Sequence, residues 1–373
     1  MRRLKRQIHA LSDWPKFRWD RDRLAKPLAS VRHQQGRLIG HMEALGFQLQ
    51  QEAVLKTLTE DVVKSSEIEG EKLDVNQVRS SVARRLGMDV GGLKAADRHV
   101  EGVVEMMLDA TRKYDESLTV ERLLAWHASL FPTGRTGMRK IRVGAWRDDK
   151  TGSMQVVSGP IGRERVHFEA PAARRLNREM KAFVDWFNKG GADIDAVLKA
   201  GLAHLWFVTI HPFDDGNGRI ARAIADLALA RSEHSPQRFY SMSAQIREER
   251  QEYYDTLERV QQGTLDVTAW MEWFLACLGR AIDGAKAMLS VVLHKARFWQ
   301  SLRDVPINER QRLLLNRLLD GFEGNLTTSK WAKIAKCSTD TALRDITELV
   351  GRGLLVRNAG GGRSTSYTLG ERR

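Results

Sequence analysis

Two apolar helical segments, near residues 195–210 and 219–230, are joined by His211-Pro-Phe-Asp-Asp-Gly-Asn-Gly-Arg219. This junction restricts the fold more than any other stretch of the chain. Leu205, Trp206, Val208 and Ile210 commit the first segment to a core. Pro212 breaks it. Gly216, Asn217 and Gly218 then form a tight turn directly ahead of the next helix. Such a turn aims several backbone N–H groups at one point, at the positive end of a helix dipole, which suits an anion and phosphate above all. Arg219 and Arg222 stand one turn apart on the same side, as bidentate phosphate contacts require. Asp215 lies beside the nest, where a carboxylate can hold Mg²⁺ bridging phosphates. His211, at the other end of the loop, is a candidate general base near neutral pH. Phe213 reads as a core anchor and Asp214 as a solvated carboxylate. Each element alone is weak, but a base, a metal ligand, an anion nest and two arginines within twelve residues together specify nucleotide chemistry.

The remaining sequence reads as mainly α. Helical patterns cover residues 24–45, 49–67 (ended by Gly70) and 75–86, two further helices fall within 97–131, and others cover 172–188, 195–210 and 219–230 before a last set reaching about residue 299. The exception is 133–171, glycine-rich, with two β-prone runs at 154–157 and 165–168, read as a β-hairpin or flap. After Pro306 the grammar changes: helices at 309–319, 329–336 and 339–351 precede a strand–turn–strand centred on Gly360, Gly361 and Gly362, the pattern of a winged helix-turn-helix. Three domains are expected: a helical extension over 1–95, a central bundle over 96–300 and the C-terminal module over 305–373. No apolar run approaches the ~20 residues of a membrane span, and the basic N-terminus has no apolar stretch behind it, so neither a membrane protein nor a secretory signal is expected. Cys277 and Cys337 form no metal pattern and suit a reducing, cytoplasmic setting. The net charge of +13 fits a polyanionic partner.

The loop resembles the Fic family motif HxFx(D/E)GN(G/K)RxxR at every fixed position, and the resemblance extends over roughly residues 60–275. It implies a helical bundle that holds the loop, with a β-hairpin flap facing it. Residues 155–159 and 166–171 look like that flap, although the usual Pro-Pro at its end is here Ala170-Pro171. The implied activity is protein adenylylation. His211 would deprotonate a hydroxyl of a target protein, which attacks the α-phosphate of ATP. Asp215 would hold Mg²⁺, Gly216, Asn217 and Gly218 would cradle the phosphates, and Arg219 and Arg222 would balance their charge. Val157 on the flap and Tyr253-Tyr254 look like the nucleoside side of the site. Gly218, where kinase-like relatives have Lys, favours AMP transfer over γ-phosphate transfer. Residues 65–70 (Ser-Ser-Glu-Ile-Glu-Gly) resemble the family's inhibitory motif (S/T)xxxE(G/N), with Ser65, Glu69 and Gly70 in register, and imply that Glu69 pairs with Arg222 and silences the site.

The C-terminal module has 12 Lys/Arg and 7 Asp/Glu over residues 305–373, about +5. Helix 339–351 would be the recognition helix, so Thr339, Thr341 and Arg344, with Arg363 on the wing, are the expected DNA contacts. Docking on protein is the alternative. A transcription regulator with a degenerate Fic-like sensor, and a Fic fold that removes AMP or transfers another group, are the rival functions. Expected partners are ATP, a target protein with an extended hydroxyl-bearing segment, DNA, and a second copy of the chain.

Overall fold

The computed structural model describes residues 6–370 except 89–94, 151, 161–162, 192, 304, 320, 323 and 359–364. It divides into two compact units, Met1–Lys286 and Ala287–Arg373.

In the first unit, a 3₁₀ turn leads into α1 (Arg21–Glu43), α2 (Phe47–Ile68), α3 (Val75–Arg85), α4 (Arg98–Arg112) and α5 (Val120–Leu130). Their starts are written in the sequence as side-chain caps. Asp20, Asp74, Asp97 and Thr119 each accept a backbone N–H of the first turn. Two small antiparallel hairpins follow, β1 (Arg135–Thr136) with β2 (Arg139–Lys140), and β3 (Gln155–Ser158) with β4 (Arg165–Glu169). In the second, Gln155 faces Glu169, and the register shifts between Val156 and Val157. The chain returns to helix with α6 (Leu176–Lys189), α7 (Ala196–Ile210), α8 (Asn217–Glu233), α9 (Met242–Glu248), α10 (Arg250–Gln261) and α11 (Thr268–Gln300).

The antiparallel pair α7 and α8 is the centre of the unit. From Val197 to Ile210 every residue of α7 except Lys199 is buried. A helix apolar all round has to lie inside other helices. α2 is nearly as deep. Val54, Leu55, Leu58, Val62 and Ile68 are buried, and it packs against α3, α4, α8 and α9. Its buried Asp61 accepts hydrogen bonds from Ser241 Oγ and Ser243 N at the start of α9. α2 ends where expected, at Gly70, whose φ of +86° is the left-handed conformation glycine adopts without cost.

The second unit begins within α11. It contains α12 (Glu309–Leu319), α13 (Thr328–Ala335), α14 (Thr339–Gly351) and the antiparallel pair β5 (Leu355–Arg357) and β6 (Tyr367–Leu369). Trp331 is fully buried among Leu314, Leu315, Leu326, Ile346, Leu349 and Leu354. The turn between β5 and β6 lies outside the described residues.

Two differences from the sequence reading stand out. The hairpin of β1 and β2 has no counterpart in it, and the helix expected from residue 172 starts at Leu176, after a 3₁₀ turn over Ala173–Arg175. No described helix is long and apolar enough to cross a membrane.

Candidate active site

His211 is the residue at which α7 stops. Its backbone is left-handed, φ 52° and ψ 59°, which costs energy for a residue with a Cβ. Three contacts hold it there. His211 N donates to Phe207 O at 3.0 Å, Arg147 Nε donates to His211 O at 2.8 Å, and Arg147 N donates to the next carbonyl, Pro212 O, at 2.9 Å. Arg147 is itself buried, and its Nη2 donates to Pro171 O at the end of the flap while Nη1 meets Asp149 at 2.9 Å. One guanidinium therefore ties the loop to the base of the β3–β4 hairpin.

The imidazole of His211 sits with Nδ1 3.2 Å from Val208 O. A carbonyl only accepts, so Nδ1 carries the proton and Nε2 keeps its lone pair. Burial pulls the pKa down to about 4. The Val208 hydrogen bond works the other way, while the Arg147 charge adds to the lowering. The ring is therefore neutral at pH 7 and able to accept a proton.

Asn217 closes the loop. Its Oδ1 accepts Phe213 N at 3.0 Å and its Nδ2 donates to Phe213 O at 2.9 Å, so the buried amide is committed to loop geometry. Phe213 is fully buried and stacks on His127, ring centroids 4.1 Å apart. Gly216 has φ +80°, and a Cβ there would lie 2.9 Å from the Phe131 ring, so both conformation and space call for glycine. Asp215 is half-buried. Its Oδ1 accepts Gly216 N at 2.6 Å. Asp214 is not merely solvated. Its Oδ2 accepts Arg142 N at 2.9 Å and hangs the segment after β2 on the loop.

Arg219 and Arg222 of α8 are each 1% exposed, and each meets an acid from the end of α2 or the turn after it. Arg222 Nη2 lies 2.8 Å from Glu69 Oε1, and Nε and Nη2 also donate to Ser65 Oγ and Ser65 O at 2.9 Å each. Burial alone would lower the Arg222 pKa, but Glu69 and the tyrosine pair outweigh it and raise it. The Glu69 carboxylate stands at the negative end of α2, where it needs a cation, and Arg222 is that cation. A Cβ at Gly218 would collide with Glu69 Oε1. Arg219 Nη1 meets Glu71 Oε2 at 2.6 Å. The sequence reading contained neither Glu71 nor Arg147.

Val157 is half exposed on β3. Tyr254 is half-buried under Arg250, whose guanidinium lies 5.0 Å over its ring. Tyr253 is 1% exposed, packed among His204, Trp270 and Trp273, with its hydroxyl 3.2 Å from His204 Nε2. It therefore supports the site from beneath and presents no open face. In the second unit, Thr339 and Arg344 are exposed on α14, and Thr341 is half-buried, its N–H donating to the capping Ser338 Oγ at 3.2 Å. Arg363 lies outside the described residues. Among the described residues no cluster of three or more His, Cys, Asp or Glu forms a metal cage.

Fold and loop together define a helical-bundle protein built around a glycine-rich turn at the N-terminus of α8. The sequence places it further. Residues 117–229 match the model of the Fic/DOC family, and residues 7–88 match a domain of unknown function, DUF4172. The chain carries a Fic/DOC-family domain. It is 24% identical over 251 residues to Protein adenylyltransferase Fic of Nematostella vectensis, covering 64% of this chain and 51% of that one. It is 27% identical over 225 residues to the protein of the same name from Aedes aegypti, covering 58% and 39%. The chain thus spans about half or less of the length of these curated relatives. A Fic family protein from Desulfovibrio desulfuricans G20 shares the fold with a TM-score of 0.52 at 20% identity, covering 94% of this chain and 97% of that one.

Proposed function

We propose that the chain is a protein adenylyltransferase held silent by Glu69. The observation that carries the reading is the arrangement of the loop. A neutral imidazole with its Nε2 lone pair free stands at one end, and two buried arginines stand at the other. In the reaction, a Ser, Thr or Tyr hydroxyl of the target gives its proton to His211 Nε2. Its oxygen forms a bond to the α-phosphorus of ATP. The bond from that phosphorus to the bridging oxygen breaks and pyrophosphate leaves. The fixed loop supplies positioning and charge stabilisation, which dominate phosphoryl-type transfer.

Asp215 would hold Mg²⁺ through its carboxylate beside the phosphates, which is how this ion is commonly bound. Bound there, Mg²⁺ would neutralise phosphate charge. Arg219 and Arg222 would bind the distal phosphates, and Tyr254 and Val157 would border the nucleoside. The exposed edge of β3 would take an extended target segment by strand addition.

ATP labelled on the α-phosphate, compared with ATP labelled on the γ-phosphate, tests the reading with the Glu69→Gly protein and its own hydroxyls or a cell extract as acceptor. Label is expected on protein from the α-position only, and His211→Ala should reduce it by ~10²–10⁴-fold, the worth of a general base. Transfer from the γ-position, or equal labelling by His211→Ala, overturns it.

A further inference from the structure

Two carboxylates leave the turn after α2, and they divide the two arginines of the first turns of α8 between them. Glu69 takes Arg222 and Glu71 takes Arg219. The second pair is buried on the arginine side like the first. Arg219 is 1% exposed, its guanidinium lies 5.0 Å over the Phe131 ring, and its Nε is buried without an acceptor. A buried donor left over in this way has room for one more acceptor oxygen than the carboxylate supplies.

Glu71 is itself anchored. His99, on α4, places Nε2 3.2 Å from the same Oε2 that meets Arg219, and places Nδ1 3.2 Å from Leu130 O. Leu130 O only accepts, so Nδ1 carries a proton, and Nε2 can donate to Glu71 only when the ring is the imidazolium. The hydrogen bond to Glu71 raises the His99 pKa accordingly, against burial. Burial would raise the Glu71 carboxyl, but His99 and Arg219 outweigh it and hold it low. Glu71 is thus an ionised carboxylate clamped between two side chains from two other helices.

We propose that Glu71, anchored by His99, is a second intramolecular anion in the phosphate site. It occupies the face of Arg219 that a triphosphate would take, while Glu69 occupies Arg222. The proposal rests on the nucleotide-transfer reading and extends its control from one carboxylate to two. Removing Glu69 then frees only half of the distal phosphate site.

The test is calorimetric binding of ATP with Mg²⁺ in a His211→Ala background, where turnover does not interfere. Glu71→Gln is compared with Glu69→Gly and with the double change. Each single change is expected to tighten ATP by about three- to tenfold, in the range of a partly exposed ion pair, and the double change by roughly the product. AMP, which lacks the distal phosphates, should bind all four proteins alike. His99→Gln, which unclamps Glu71 and leaves Arg219 its neighbour, serves as the second variant and should give a smaller tightening of ATP. ATP affinity unchanged or weakened by Glu71→Gln overturns the proposal, the weakened case meaning that Glu71 orients Arg219 for use. Equal tightening for AMP and ATP overturns it as well. The adenylyltransferase reading fails separately, on absence of α-phosphate transfer by Glu69→Gly, and that result leaves these affinities to judge Glu71 alone.

Discussion

Arg147 holds the carbonyl of His211 at 2.8 Å with its Nε, across 64 residues of sequence. The same side chain holds Pro171 O with Nη2, so the angle between the candidate base and the flap depends on one guanidinium.

Arg147→Ala should therefore cost both stability and activity. It leaves two carbonyls without their donors, and a buried unsatisfied group costs about 1–3 kcal/mol. A loss of roughly 2–5 kcal/mol in urea unfolding is expected by that reckoning. AMP transfer should fall by about 10²-fold, the effect of misplacing a reacting group by ~1 Å. Arg147→Lys should rescue little, because one ammonium cannot span three acceptors. An Arg147→Ala protein as stable as the parent contradicts this account.

Glu69→Gly should raise AMP transfer at least tenfold over the parent, by letting Arg222 reach phosphate in place of a carboxylate 2.8 Å away. Adding His211→Ala should abolish the gain. Arg222→Ala should show none, since it loses the phosphate contact together with the pair. Initial rates at saturating ATP and Mg²⁺ decide it. Slower removal of AMP by Glu69→Gly would instead make Glu69 a base for water.

Three histidines should make the protein acid-sensitive. Burial lowers His211 and His127 to about 4 and His204 to about 3. Each takes up its proton more readily when unfolded, so the stability it contributes is complete above the unfolded value near 6.5 and is lost as pH falls toward 4, or toward 3 for His204. Each contributes a slope of up to ~1.4 kcal/mol per pH unit in that window. His99 runs the opposite way, because its pKa is raised. Urea unfolding between pH 7.5 and 4.5 should show falling stability, and replacing His127 by Phe should flatten the curve. A level profile for the parent contradicts it.

The C-terminal unit is expected to shift duplex DNA at low salt and to lose it steeply between 50 and 200 mM, as phosphate contacts dictate. Arg344→Ala on the exposed face of α14 should weaken the complex. No shift at low salt assigns the unit to protein docking, which Asp340 and the exposed Leu343 on the same helix would suit.

The helices were legible because their signals are local. Asp97 and Asp195 cap at the positions where periodicity begins, and the apolar α7 could only be central. The loop was legible for the same reason, since nest, base and arginines lie within twelve consecutive residues. What escaped was encoded at a distance. Arg147 acts on backbone carbonyls, which no residue type announces, and Glu71 meets an arginine 148 positions later. The hairpin of β1 and β2 runs Arg-Thr-Gly-Met-Arg-Lys, with no alternation for a strand pattern to register. Asn217 and Tyr253 stand where the motif puts them, but their side chains face inward, and motif matching does not report direction.

α2 both fills the core and ends at the arginines. Asp61, two turns before Glu69, is fastened to the start of α9 inside that core. Such an element cannot be clipped off or lent to a partner while the rest stays folded. On the proposed reading, relief would act on side chains at its last turn, over ångströms, and a single codon change there would reach the same end.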